Sequence, residues 1–323
     1  MLTRRLMTIS CAMVMAVGLV NAQEFPSQPI RIVIPYAPGG GSDILARPVA
    51  VDMSQRLKQP VIIDNKGGAG GNIGAQFVAR SAPDGYNLMM ANNSHVINQF
   101  IYKNPGFEMG DLAPVSLVGT SPIIVVVHKS SPVQSLADFV SLARKNPGKL
   151  NFGSAGVGTP GHLAPLLFNK QADIKVVHIA YKGSGPATLA LLQKEVDIVF
   201  STPVAAEPHI KSGEFRALAV TSKNRFSAFP MVPTIAESGL PGLGDYQMEI
   251  WWGLLAPAKT EPAVLDKLNA AVTAAVRDPK ISERWTAQGM IPTTTTRAEF
   301  QTLIKNELQK WEKVVRENGI MVD

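Results

Sequence analysis

The chain is short of the residues that usually carry chemistry. Among 323 residues there is one cysteine, Cys11, and there are five histidines. Cys11 sits inside an apolar run, LMTISCAMVMAVGLV, with Arg4 and Arg5 before it and Val20-Asn21-Ala22 after it. A positive start, an apolar stretch of this length and small residues at the two positions a signal peptidase reads mark residues 1–22 as a signal peptide cleaved after Ala22. A membrane anchor is the poorer reading, because a spanning helix needs about 18 or more apolar residues. Cleavage takes Cys11 away. The mature chain 23–323 then has no disulfide, no thiolate nucleophile and no thiolate metal site. An export signal without disulfides fits a bacterial periplasm.

Charge and histidine spacing exclude more. Losing Arg4 and Arg5 leaves 29 Lys and Arg against 25 Asp and Glu, which lowers the net charge from +6 to +4. Those cations are scattered, with no basic stripe and no interleaved aromatics, so nucleic acid is not an expected partner. His95, His128, His162, His178 and His209 share no metal-ligand spacing such as HExxH, and no metal is expected. His128 and His178 fall on strand-like stretches, where a structural role is the simpler one.

What the chain has is alternation. IRIVIPY, PVIIDN, YNLMMAN, SPIIVVVHK, KLNFGSAG, KVVHIAYKG, VDIVFST and FRALAVTS read as strands. Between them SDILARPVAVDMSQRL, GGNIGAQFVARS, SLADFVSLARKNP, PGHLAPLLFNKQ, GPATLALLQKE and AAEPHIKSG read as helices. Ser135 followed by Asp138 predicts a capping box at the third of these. Two longer amphipathic helices are expected at about 261–277 and 297–318. The pattern implies an α/β protein with mostly parallel sheets flanked by helices. The block 128–222 has its own βαβαβ pattern, bracketed by two apolar strands. It reads as a second domain inserted into a first made of 23–127 and 223–323, a hinged two-lobe arrangement.

Four strand-to-helix turns are rich in glycine: 38–43, 64–72, 153–162 and 181–186. Such turns line the crevice at the carboxyl ends of the strands. Their glycines either make tight turns or let backbone N–H groups approach an anion. Phosphate is disfavoured, since none has the Lys-Ser or Lys-Thr of a Walker loop. A dinucleotide is disfavoured, since Gly68-x-Gly70 is followed by Gly74, one place late for GxGxxG. A hydrolase elbow is absent, since Phe152 precedes Ser154 by two places and Ile44 follows Ser42 by two. A carboxylate remains. Thr159-Pro160 is an N-cap followed by proline at the first helical position. Ser154 and Thr159 hydroxyls beside free N–H groups would make a neutral anion cradle, with Lys182 the nearest cation unless Arg47 turns inward. Ser94, in the segment after YNLMMAN, could add a polar contact. Trp251 and Trp252 are core residues of which one could wall a pocket.

On these segments the chain closely resembles the Bug-type extracytoplasmic solute receptors, the substrate-binding proteins of tripartite tricarboxylate transporters. The resemblance rests on PIRIVIPYAPGGGSDILAR, NKGGAGGNIGA, DLAPVSLVG, NFGSAGVGTPGHLA, AYKGSGPA, FRALAVTS, VPTIAESGLPG and WWGLLAPAKT, in that order from Pro29 almost to the C-terminus. It implies a Venus-flytrap fold of two α/β lobes and a small organic carboxylate captured in the cleft. It also implies delivery to a membrane permease of large and small subunits, by a monomer without cofactor and without catalysis. Carried over by motif, the ligand contacts are Tyr36, Gly40, Gly41, Ser42 and Asp43 from the first lobe, with Ser94. From the second lobe they are Ser154, Ala155, Gly158, Thr159 and His162, then Tyr181, Lys182 and Gly183. Two departures stand out. Ser201 occupies a place where the family often has aspartate, which would suit a ligand without an amino group. Pro48 should kink or delay the first helix. Other classes remain open at this stage: a receptor that presents its closed form to a sensor kinase, or a hydrolase using Ser42 or Ser154.

Overall fold

The computed structural model describes residues 25–321; the expected signal peptide and its expected cleavage site after Ala22 lie outside them. The first stretch of chain runs β1 (Ile30–Ile34), α1 (Gly41–Leu57), β2 (Val61–Asn65), α2 (Asn72–Ala79), β3 (Asn87–Asn92), α3 (Asn93–Ile101) and β4 (Leu112–Pro122). It continues as β5 (Ile124–His128), α4 (Leu136–Lys145), β6 (Asn151–Ser154), α5 (Pro160–Gln171), β7 (Val177–Ala180), α6 (Ser184–Leu192), β8 (Ile198–Ser201), α7 (Pro203–Lys211) and β9 (Phe215–Val220). It closes with β10 (Glu249–Pro257), α8 (Pro262–Arg277), α9 (Pro279–Ala287), β11 (Ile291–Pro292) and α10 (Arg297–Asn318).

Two sheets result, ordered β11-β4-β10-β3-β1-β2 and β7-β6-β8-β5-β9. They are mixed rather than mostly parallel. The βαβ portions are parallel: β1 with β2 and β3, and β6 with β7 and β8. The strands next to the crossings run antiparallel: β10 with β3 and β4, and β5 with β8 and β9. The reason is topological. A helix crossover returns the chain in the same direction, whereas β4 passes to β5 through Ile123 alone, and β10 comes back across the same gap.

We propose that gap as the hinge. Ile123 N donates to Thr221 Oγ1 (2.8 Å), Thr221 N to Ile123 O (2.9 Å), and Met248 N to Thr221 O (2.9 Å). Outgoing and returning chains are thus stitched together at the point where they pass between the lobes. Residues 223–248 pack on the second lobe: Thr234 bridges Val220 and Tyr246 Oη donates to Ala164 O (2.6 Å). We propose on that basis that the return boundary between domains follows Met248.

Local chemistry accounts for the elements that carry the site. β1 is apolar at all positions but Arg31, which pairs with Asp64, because it is an interior strand largely covered on both faces. α1 starts at Gly41 and continues unbroken through Pro48, so the proline does not delay it. α4 opens with the expected capping box, Asp138 N donating to Ser135 Oγ (3.1 Å) and Ser135 N to Asp138 Oδ2 (3.0 Å). Replacing Ser135 by alanine should lower stability by about 1 kcal/mol in chemical denaturation; an unchanged midpoint would mean the cap contributes nothing. α10 is tied to α3 by Glu307, which accepts from Asn93 Nδ2 (2.8 Å) and Trp311 Nε1 (3.0 Å).

Candidate functional site

The two lobes touch through the loops at the carboxyl ends of their strands. Ala37 N donates to Lys182 O (2.8 Å), Gly41 N to Ser184 Oγ (3.1 Å) and Tyr102 Oη to Val157 O (3.2 Å). Glycines make this approach feasible. A Cβ on Gly70, whose φ is +61°, would stand 2.1 Å from Val157 O. One on Gly158, φ +81°, would stand 2.0 Å from Asn98 Oδ1. The glycine-rich turns therefore serve lobe-to-lobe contact as well as turning the chain.

Between these contacts lies a cavity of ≈ 40 Å³. Four helices present their N-termini to it. α1 contributes Gly40, Gly41 and Ser42, and α5 contributes Thr159, Pro160 and Gly161. α6 contributes Ser184 and Ala187, and α7 its N-cap residue Thr202. The remaining wall is Tyr36, Asn92, Ser154, Ala155, Val199, Phe200, Ile250 and Trp252. No lining residue carries a formal charge. Each helix end brings roughly half a positive charge and first-turn amides that have no acceptor in their own helix. None of the four is closed by its N-cap side chain. This is anion chemistry supplied by backbone dipoles in place of cations.

Hydroxyls complete it. Trp252 Nε1 donates to Ser42 Oγ (3.1 Å), which leaves the Ser42 proton free for the cavity. Thr159 occupies the N-cap position but does not cap with its side chain; its Oγ1 donates to Gly156 O (2.6 Å). Thr202 Oγ1 is buried without a partner among the described residues. Ser154 Oγ lies 2.6 Å from His178 Nε2 and accepts from Gly156 N (3.1 Å). The His178 ring lies 4.1 Å from that of His162, tilted by 32°, and His162 Nδ1 accepts from Gly158 N (3.2 Å). Burial pushes His178 down to about 4 and, with the repulsion two protonated neighbouring rings would feel, His162 to about 3, so both rings are neutral at ordinary pH.

The structure brings Tyr36, Gly40, Gly41, Ser42, Ser154, Ala155 and Thr159 together around the cavity and places the other sequence candidates elsewhere. Asp43 turns away and binds Arg47 (2.8 Å), so Arg47 does not point inward either. Burial raises the Asp43 pKa, but hydrogen bonds from Arg47, Gly39 N and Asn65 outweigh it, and the net shift is downward. Ser94 is fully buried and holds Tyr36 Oη (2.8 Å). Gly158 and His162 shape the α5 loop from behind. Tyr181 and Lys182 line a neighbouring cavity of ≈ 250 Å³ beyond Tyr36 and Ala155. Gly183 abuts Ala37 at the lobe contact. Ser201 faces Thr188 Oγ1 (3.3 Å); it is Thr202 that reaches the cavity.

The sequence points to Asn92 only as part of the segment 92–95 that could add polar contacts, and Ser184 and Thr202 are not among the expected contacts. For Thr202 a signal existed: Thr202-Pro203 repeats the Thr159-Pro160 pattern of an N-cap followed by proline. Of the two tryptophans, Trp252 walls the cavity, while Trp251 packs edge-on against Phe300 (5.5 Å) in the core.

Comparison with known proteins gives a consistent result. Residues 45–320 match the model of the tripartite tricarboxylate transporter family receptor. The chain is 35% identical to Protein BugT of Bordetella pertussis over 303 residues, 93% of this chain and 92% of that one. Its fold is similar to that of the periplasmic binding protein BugD, with a TM-score of 0.88 and 32% identity, covering 92% of this chain and 99% of BugD. It is also similar to MatC from Rhodopseudomonas palustris with bound malate, with a TM-score of 0.85 and 31% identity, covering 90% of this chain and 100% of MatC.

Proposed function

Since the chain belongs to the tripartite tricarboxylate transporter receptor family, whose function is solute binding, we propose that its cleft captures a small organic carboxylate and that the closed form delivers it to a membrane permease of large and small subunits. The observation that carries this reading is the convergence of four uncapped helix N-termini on one cavity with no charged side chain. A carboxylate would take up the amides left open there (Gly41 N is already held by Ser184 Oγ) together with the Ser42 and Thr202 hydroxyls. The malate in MatC supports the same ligand class. A ligand touching both lobes favours the closed state by its differential affinity. Export through the N-terminal signal, with cleavage after Ala22, would put the receptor in the periplasm.

Binding without turnover is part of the proposal. Ser154 and His178 resemble a nucleophile and its base, but no described residue bonds His178 Nδ1 to orient the ring. A base held near 4 by burial is also a weak proton acceptor at neutral pH.

The test is a thermal-shift screen of the mature chain against organic acids and their amides. Ligand at about 100 times Kd stabilises by roughly 2.7 kcal/mol, a rise of several degrees in Tm. The expected result is a rise with an acid that its amide does not reproduce. A rise with phosphates, nucleotides or neutral solutes alone would overturn the reading.

A further inference from the structure

Resting on the carboxylate reading, we propose that Thr202 and its surroundings restrict the cleft to carboxylates that carry no ammonium group, so that α-amino acids are excluded. Thr202 is only 8% exposed and stands at the N-cap of α7. Its side chain lines the cavity and packs against the N-terminus of α1 in the opposite lobe, with Oγ1 and Cγ2 each 3.0 Å from where a Cβ on Gly41 would stand. The Oγ1 oxygen has no partner among the described residues. Threonine at an N-cap ordinarily spends its hydroxyl on the amides of its own helix, and a buried hydroxyl left unpaired is costly. This one is therefore positioned for a group that arrives from outside, and it has a proton to donate to an oxygen anion.

An ammonium finds the opposite environment. It would be taken out of water and set against four helix ends of its own sign. It would also need a carboxylate partner, and no carboxylate lines the cavity. Asp43 is the nearest along α1, and it accepts from Arg47 Nε (3.0 Å), Arg47 Nη2 (2.8 Å), Gly39 N (3.0 Å) and Asn65 Nδ2 (3.1 Å). Four bonds fill the capacity of a carboxylate. Glu207, in α7, is paired with Lys211. The exclusion thus comes from an unfavourable arrangement for the wrong ligand as much as from contacts to the right one.

The experiment measures Kd by calorimetry for acid pairs that differ by one α-ammonium: succinate and aspartate, glutarate and glutamate, 3-phenylpropanoate and phenylalanine, 4-methylpentanoate and leucine. Wherever a pair binds, the acid without nitrogen should bind at least about a hundredfold more tightly. Thr202→Val keeps the side-chain shape and breaks no capping bond. It should leave the ligand-free Tm the same or higher and weaken the bound acid about tenfold. An amino acid within tenfold of its partner overturns the selectivity while leaving the carboxylate reading intact. An unchanged affinity in Thr202→Val overturns the role of that hydroxyl. If none of the eight compounds binds and phosphates or neutral solutes do, the carboxylate reading fails and this inference falls with it.

Discussion

Gly70→Ala should prevent the lobes from closing and weaken ligand capture by at least a hundredfold, about 2.8 kcal/mol. Two effects act, and they separate. The residue sits at φ +61°, where a side chain costs about 1 kcal/mol in any state of the protein. The second effect exists only when the lobes meet. The new Cβ would stand 2.1 Å from the carbonyl oxygen of Val157, a backbone atom that no rotamer change can withdraw. Gly158→Ala makes a contrasting case. Its Cβ meets Asn98 Oδ1 at 2.0 Å, a side-chain atom, although Asn98 Nδ2 is held by Asn72 Oδ1 (2.6 Å) and Gly70 O (3.2 Å). Adding Asn98→Ala should therefore restore part of the binding to Gly158→Ala and none to Gly70→Ala. Calorimetry with the acid found by thermal shift reads the affinity, and small-angle scattering reads the closure. A Gly70→Ala protein that binds within tenfold of wild type and compacts on ligand addition would refute the closure role of that glycine.

The behaviour of these two glycines marks the limit of what the sequence discloses. NKGGAGG and GSAGVGTP announce tight turns at strand ends, and the alternation of apolar and amphipathic stretches announces α/β layers. Nothing in either loop says that Gly70 and Gly158 face the opposite lobe, because that follows from how two sheets are hinged. The elements overlooked have local causes. β4 is broken up by Pro114, Gly119 and several hydroxyl residues, yet all but one of its eleven positions are buried. α3 begins at Asn93 directly after β3 ends at Asn92, with no linker to announce it. Strand direction left no trace in the pattern, so the antiparallel pairs of β5 and β10 could not be foreseen. At the site, half the motif residues line the cavity, and Ser201 misses it by one position: as the last residue of β8 it faces Thr188 within its own lobe, while Thr202, the N-cap of α7, takes the inward place.

Acidification should destabilise the protein between pH 6.5 and 4, with His95 a principal cause. The ring is fully buried among Tyr36, Phe107 and the Gly71 backbone, and burial lowers its pKa from 6.5 to about 4. Asn92 N donates to Nδ1 (3.1 Å), and Nε2 has no partner among the described residues. The folded state thus holds the neutral ring. Above pH 6.5 the ring is neutral in both states and contributes no pH dependence. Between pH 6.5 and about 4 the unfolded chain takes up a proton that the folded one refuses, so stability falls as pH falls. Below about 4 the folded ring protonates too and the loss levels off. The full drop is about 3 kcal/mol from this residue. His162 and His178 shift in the same direction and add to it. The substitution that isolates His95 follows from its position. It is the third residue of α3, where its ring completes a capping box with Asn92, and glutamine is a natural residue at that place. His95→Gln therefore keeps the cap and removes the titration. Denaturation at pH 7.0 and pH 4.5 should show wild type losing about 2 to 3 kcal/mol more than His95→Gln. Equal losses in the two proteins would mean that His95 is not the group that titrates.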